Sequence, residues 1–370
     1  HRDDTRLEPG AMEVNGMPTL QDAPLPWQQD IWRSLSARLT EGKLPHALLI
    51  TGEAGLGKTL LATAFARLAL CRSPAHGMAC GSCASCTQFA AGAHADFRRI
   101  ELEERDGKAG EDGQLKSAIS VEQIRDLIGS LQLSSSRHGG RKLALIEPAE
   151  LMSISAANSL LKTLEEPPED TVLLLVTAAP GRLPATVRSR CQSVAVAAPA
   201  TATALEWLKA RLPREDWPVL LGFCAGAPLA ALALAATGIE TRRQAFFAAL
   251  VRLRSREANP VMLAVHPKDA YPELLRLLWS FVSDLILIRN AGAGAPVVNR
   301  DQLALLQKTA EGINLRSLHA YLDRIQAAIQ ALDTPANREL TFSVLLAEWA
   351  DGLEGLQNAP LAAHTKWGWT

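Results

Sequence analysis

The sequence predicts an α/β domain built on a parallel sheet, followed by a small helical domain and a larger all-helical one. Three observations predict it. Short apolar runs alternate with helix-period segments up to Pro199, a glycine-rich loop joins the first such run to a helix, and strand signals vanish beyond Pro199. In chain order, "WQQDIWRSLSARLTEG" reads as a helix, with Ile31, Leu35 and Leu39 four apart. "HALLIT" is a short apolar run of buried-strand type that ends at the loop "GEAGLGKT", and "LLATAFARLALC" continues from the loop as a helix. "KLALIE" and "TVLLLVT" are two more buried strands. "SAANSLLKTLEEPP" between them is a helix stopped by Pro167 and Pro168. Alternation of this kind implies a parallel sheet with helices on both faces. After Pro199, "TATALEWLKARL", "DWPVLLGFCAG" and "PLAALALAAT" read as three short helices. Longer amphipathic segments follow: "TRRQAFFAALVRLRS", "YPELLRLLWSFVSDLILIR", "DQLALLQKTAEGI", "LRSLHAYLDRIQAAIQALD" and "ELTFSVLLAEWADGLEGL". Residues 290–300, "NAGAGAPVVNR", are glycine-rich and aperiodic, so they are expected to form a loop.

Bulk properties narrow the function classes. The chain has 370 residues, 48% hydrophobic and 21% charged, with 38 Lys and Arg against 39 Asp and Glu. That balance argues against wholesale electrostatic capture of nucleic acid or membrane. No apolar run reaches the length of a membrane span; the longest candidate, "LLRLLWSFVSDLILIR", is broken by Arg276 and Asp284. No export signature is read, which leads us to expect a cytoplasmic protein without membrane contact.

The loop fills the pattern G-x-x-x-x-G-K-[ST] with Gly52, Glu53, Ala54, Gly55, Leu56, Gly57, Lys58 and Thr59. Glycines let backbone N–H groups turn toward phosphate oxygens at a helix N-terminus that already favours anions. Lys58 would reach the β- and γ-phosphates and the Thr59 hydroxyl would ligate Mg²⁺. Hydrolysis needs more: a carboxylate for the metal and a group that positions the attacking water. Those groups are expected after the second strand, where the sequence has Glu147, Pro148, Ala149 and Glu150. Glu147 stands where an aspartate is usual and serves as candidate Mg²⁺-site carboxylate. Pro148 stands where the water-polarising glutamate belongs, and proline has no side-chain base. Glu150 is a stand-in expected to project from a different place. ATP with Mg²⁺ is thus expected to bind, whereas hydrolysis lacks its usual base.

Cys71, Cys80, Cys83 and Cys86 lie within 16 residues, spaced C-x8-C-x2-C-x2-C, as suits a structural tetrahedral Zn²⁺. An iron–sulfur cluster is the main rival, since C-x2-C-x2-C also occurs in ferredoxins; unbound thiols and disulfides compete less well. Cys191 and Cys224 sit in apolar contexts and are expected to pack. The same holds for Trp207, Trp217, Trp279 and Trp349. "SSSRHGGRK", with Arg137, Arg141 and Lys142, could touch DNA phosphates, although a solvated loop is the better reading.

Taken in order, "LPHALLITGEAGLGKT", the four-cysteine insertion, "ANSLLKTLEEPP" and "TVRSRC" resemble the bacterial DNA polymerase III clamp-loader subunits of the AAA+ class. The resemblance covers most of 26–199 and continues more weakly to about 357, where "NRELTFSVLLAEW" looks like a last collar helix. It implies this division: a tail or expression remnant at 1–25; an AAA+ domain at 26–198 with a zinc module at 71–90; a helical lid at 199–238; a helical collar for oligomerisation at 239–357; and a tail at 358–370. Two branches of the family compete, the gamma/tau motor subunits and the delta-prime subunits. Pro148, and the absence of an arginine in "AGAPLAAL" (225–232), where Leu229 stands at the motor's sensor position, favour the delta-prime branch. Thr177 still matches the polar first sensor. The resemblance also implies partners: motor subunits and a delta subunit in a heteropentamer, with a sliding clamp and primed DNA reached through the assembly. Within the motif Ser189-Arg190-Cys191, the resemblance gives Arg190 a catalytic role in trans, at a neighbour's γ-phosphate. A cis-active ATPase using Glu147 or Glu150 is the competing enzyme reading, and a redox or adaptor protein with an iron–sulfur cluster the third.

Overall fold

The computed structural model describes residues 23–356, except 105–115, 134, 136–139, 265, 267–269 and 334–336. Most of the expected N-terminal tail, the 358–370 tail and Arg137 therefore lie outside the described residues. The chain parts into two compact units. One holds the described residues up to Pro213 together with Cys224–Ala230; the other holds Arg214–Phe223 and the described residues from Ala231 onward.

The first unit follows the order α1 (Gln29–Thr40), β1 (Ala47–Thr51), α2 (Lys58–Leu70), α3 (Ala84–Ala90), β2 (Phe97–Ile100), α4 (Val121–Gln132), β3 (Lys142–Ile146), α5 (Ile154–Glu165), β4 (Thr171–Thr177), α6 (Ala185–Arg188), β5 (Gln192–Ala195) and α7 (Thr201–Arg211). The five strands form one sheet in the order β2-β3-β4-β1-β5, with every pairing parallel. Alternation of side chains divides the strand residues between two cores. Leu48, Ile50, Leu143, Leu145, Leu174 and Val176 pack on one face with Trp32, Leu61 and Phe65. Ala47, Leu49, Ala144, Ile146, Leu173 and Leu175 pack on the other with Ile124, Leu160 and Val187. The three inner strands are those the sequence predicts. The flanking β2 and β5, "FRRI" and "QSVA", are not anticipated: as edge strands they keep exposed polar residues and carry no continuous apolar run. Helix α4 is also missing from the sequence reading, although Ser120 and Gln123 form a reciprocal capping box at its start.

Lys142 does not belong to a basic surface. It is buried, and its Nζ donates to the carbonyls of Leu131 and, at 2.7 Å, Leu133, so the ammonium caps the end of α4.

The second unit contains α8 (Trp217–Phe223), the latter part of α9 (Pro228–Ala235), α10 (Ile239–Arg254), α11 (Pro260–Ala264), α12 (Tyr271–Ala291), α13 (Leu303–Ala310), α14 (Leu315–Gln330) and α15 (Arg338–Ala350). Helix α12 is its axis, packed by α13, α14 and α15. Trp349 is fully buried, edge-on to Phe281, and donates from Nε1 to the Leu250 carbonyl at 2.8 Å. Trp207 and Trp217 are buried as expected, and Trp279 is half-buried. No single helix is long and apolar enough to cross a membrane among the described residues.

Asp284, which interrupts the apolar run of α12, is fully buried. Its carboxylate accepts from the backbone N–H of Val298 (2.9 Å) and Asn299 (2.8 Å) and from Asn299 Nδ2 (2.7 Å). Arg243 extends the network, donating to Asn299 Oδ1 and Asp301 Oδ1. The aperiodic 290–300 loop is thus pinned at Val298 and Asn299 by Asp284, with Arg243 and Ser280 also bonded to the Asn299 side chain. Asp284→Ala leaves three donors unpaired at about 1 kcal/mol or more each. It is expected to destabilise the chain by about 3 kcal/mol, read as a lowered urea midpoint.

Candidate functional site

The phosphate loop leaves β1 at its carboxyl end, beside the ends of β3 and β4, where open parallel sheets bind ligands. Its carbonyl side is held from two directions. From one side, Trp27 Nε1 donates to the Leu56 carbonyl at 3.0 Å, and Gln28 Nε2 donates to those of Leu56 and Gly57, both at 2.9 Å. Both residues belong to the single 3₁₀ turn Pro26–Gln28, and Leu25 just before it is buried. From the other side, Leu229 N–H donates to the Gly55 carbonyl at 3.1 Å. A trans peptide puts N–H and C=O on opposite sides, so the N–H groups of Leu56, Gly57 and Lys58 face away from these anchors. They lie at the N-terminus of α2, where an anion would be favoured. Gly55 and Gly57 are required by space as well as by φ of +82° and +79°. A Cβ at Gly55 would lie 2.4 Å from Ala230 Cβ, and one at Gly57 2.4 Å from Leu25 Cδ1.

Lys58 is buried, and its Nζ donates to the Glu53 carbonyl at 2.7 Å across the loop. Burial lowers its pKa, opposed by the charges of Glu150, Glu147 and Glu53. Thr59 Oγ1 donates to Glu147 Oε1, so the two expected Mg²⁺ ligands lie side by side. Burial raises the Glu147 pKa, opposed by the Thr59 hydroxyl, Arg99 and Lys58; Arg99 on β2 lies 3.7 Å from Glu147 Oε2. Thr177, closing β4, is buried, and its hydroxyl accepts from Ala179 N–H at 3.0 Å.

Glu150 lies on the 3₁₀ turn Ala149–Leu151. Its Oε1 accepts from Ala178 N–H at 3.0 Å, next to Thr177, and its charge acts on Lys58. Its Oε2 is buried without a hydrogen-bond partner among the described residues. Leu229 lies over the loop: a Cβ at Gly57 would meet its Cδ1 at 3.3 Å. An apolar side chain there offers no charge to a γ-phosphate.

Arg190 lies elsewhere. It follows α6, and its Nε donates to Glu165 Oε1 at 2.9 Å with Nη2 on the same oxygen, while Nη1 donates to the Thr186 carbonyl at 2.9 Å. Glu165 ends α5 next to Leu164, whose carbonyl is 2.9 Å from His46 Nε2, just before β1 begins. Arg190 is therefore at the amino end of the sheet, and its own phosphate loop is at the carboxyl end, about 16 Å away along a five-residue strand. Ser189 Oγ donates to the Thr186 carbonyl at 3.2 Å. Cys191 is half-buried against the α5 core, and burial pushes its thiol up to about 11.

The four clustered cysteines do converge. Cys71 closes α2, Cys80 and Cys83 flank a turn, and Cys86 sits inside α3. Their sulfurs all lie within 4.8 Å of one another, and none is in a disulfide. The backbone N–H of Cys80 donates to Cys71 Sγ and that of Cys83 to Cys80 Sγ, each at 3.3 Å. Such donors favour thiolates, and the cluster can hold a metal ion. Two further ties were invisible in the sequence. Trp32 Nε1 donates to the Gly77 carbonyl at 3.1 Å, and buried His94 meets Ser85 Oγ at 2.8 Å while Ser85 donates to the Leu70 carbonyl.

Comparison with known proteins agrees over most of the chain. A family model described as "DNA polymerase III, delta subunit" matches residues 27–200, and its C-terminal counterpart matches 240–351. The DNA polymerase III subunit delta' of Pseudomonas aeruginosa is 35% identical over 334 residues, covering 88% of this chain and 97% of the relative. That of Escherichia coli is 33% identical, covering 87% and 93%. The subunit tau of Escherichia coli is 34% identical over 164 residues only, 44% of this chain and 23% of that protein.

Proposed function

The chain belongs to the family of DNA polymerase III delta' subunits, and from that premise we propose that it is a non-motor subunit of the clamp loader. It joins motor (gamma/tau) and delta subunits in a heteropentamer through its C-terminal helices, supports ATP-dependent loading of a sliding clamp on primed DNA, and donates Arg190 to a neighbour's ATP site. The observation that carries the reading is the pairing of an intact phosphate nest with Pro148 and Leu229. The nest, Lys58, Thr59 and Glu147 fit ATP with Mg²⁺, which would supply a γ-phosphate and its counter-charge there. The nest would hold the anion, Lys58 would supply a positive charge beside it, and Thr59 and Glu147 would offer oxygens to the ion. The groups that would polarise water and sense the γ-phosphate are replaced by proline and leucine. Arg190, at the opposite end of the sheet, is out of reach of its own loop and available to another chain.

For the cysteine cluster we assign a structural Zn²⁺. Tetrahedral Zn–S bonds of about 2.3 Å put sulfurs about 3.8 Å apart, and Cys71 and Cys83 are 4.0 Å apart. A four-iron cluster sits between its thiolates and holds them wider than a single ion does.

A second reading, a cis-active ATPase with Glu150 as base, is favoured by the placement of Glu150 beside Thr177 and Lys58. One assay separates the two. The purified chain is expected to turn over ATP no faster than its Lys58→Ala variant. Motor-like turnover abolished by Lys58→Ala and by Glu150→Gln would transfer the assignment to the second reading.

A further inference from the structure

We propose that Gln28 is the positioning residue of the phosphate loop: its side-chain amide fixes two consecutive loop peptides so that their N–H groups face a bound phosphate. The proposal rests on the reading that this loop holds nucleotide. Gln28 is fully buried and all its polar atoms are engaged. Oε1 accepts from Leu25 N–H at 3.0 Å, and Nε2 donates to the carbonyls of Leu56 and Gly57, each at 2.9 Å. The partners fix the amide's orientation, because a backbone N–H can only donate and carbonyls can only accept. The nitrogen's two hydrogens match the two carbonyls.

The position is the one where an anchor matters most. The peptides concerned are Leu56–Gly57 and Gly57–Lys58, hinged on a glycine at φ +79°. With no Cβ, a peptide beside such a glycine rotates at little steric cost. A flip would turn a carbonyl oxygen, instead of an N–H, toward the phosphate, exchanging attraction for repulsion at hydrogen-bond distance. Lys58 cannot prevent this, since its Nζ reaches the Glu53 carbonyl and not these peptides. Trp27 holds the Leu56 carbonyl alone. The Gly57 carbonyl has its helical partner, Leu61 N–H, but Gln28 spans both peptides.

The test uses the full chain and two probes, ATP with Mg²⁺ and inorganic pyrophosphate, titrated by calorimetry against wild type, Gln28→Met and Gln28→Glu. Methionine keeps the volume and removes the donors. Glutamate keeps the Leu25 acceptor but faces the carbonyls with an oxygen. Both variants are expected to bind both probes about tenfold more weakly, the loss of roughly one charge-assisted hydrogen bond. Relative to wild type at each pH, Gln28→Glu is expected to recover affinity as the pH is lowered, because the protonated carboxyl regains one donor. That recovery also serves if Gln28→Met fails to fold. An affinity loss in Gln28→Glu that stays constant with pH reflects packing and overturns the proposal. Equal affinity of wild type and variants overturns it while leaving the nucleotide reading intact. A wild-type chain that binds neither probe overturns the nucleotide reading and the proposal with it.

Discussion

In a reconstituted clamp-loader complex, Arg190→Ala in this chain is expected to lower ATP turnover at the neighbouring site on the order of 10³-fold, the lower end of what arginine fingers supply. Total turnover falls by that site's share, and the variant still enters the complex. The geometry makes the transfer cheap. Arg190 is one-third exposed and paired with a half-exposed Glu165, and pairs of that kind contribute about 1 kcal/mol or less. A developing γ-phosphate charge offers shorter, charge-assisted bonds in a drier setting. The same pair keeps the guanidinium from wandering while it waits. Glu165→Gln is accordingly expected to change turnover far less than Arg190→Ala. Unchanged turnover in Arg190→Ala, with incorporation verified, would remove the trans role.

The second large effect is expected at the cysteine cluster. Cys83→Ser should reduce bound zinc from one equivalent per chain to none by elemental analysis. Structural zinc contributes on the order of 10 kcal/mol in isolated peptides. Here Trp32, Ser85 and His94 already hold the module against α1, α2 and the start of β2. A loss of about 3 kcal/mol is expected instead, comparable to removing a structural cross-link. That corresponds to a Tm lower by about 6–12 °C for a unit of this size. Removal of the metal from wild type by chelation should give the same shift. Native protein with full stability and no metal would refute the assignment, and iron with visible absorbance would redirect it to a cluster.

The legible parts of this molecule are those in which chemistry dictates residue type at fixed spacing. The phosphate loop and the cysteine quartet could be read because glycine, lysine, hydroxyl and thiolate have no substitutes there. The three inner strands were readable because burial on both faces demands unbroken apolar runs. The edge strands were not, since "FRRI" and "QSVA" owe their conformation to the neighbour they pair with. Helix α4 carried a readable start in Ser120 and Gln123, but its apolar stripe is interleaved with charge. Residues whose role depends on a distant partner left no local signal. Gln28 is one glutamine among several until the fold brings it to Leu56 and Gly57. Lys142 looked like part of a basic loop until the end of α4 was found against its ammonium. The bond from Ala178 N–H to Glu150 also left no local signal, because it joins the ends of two strands distant in sequence.

The sheet order has a consequence for how the chain is made. β1 is flanked by β4 and β5, both synthesised long after it. At about 5–20 residues per second, the ribosome needs roughly 6–25 s to proceed from Ala47 to Thr171. During that interval "ALLIT" is an apolar strand with neither neighbour. The first unit gains its remaining segment only with Cys224–Ala230, and the second waits for Trp349 to reach Leu250. A nascent chain of this sequence therefore carries β1 as an apolar segment without its sheet partners until β4 and β5 have followed it.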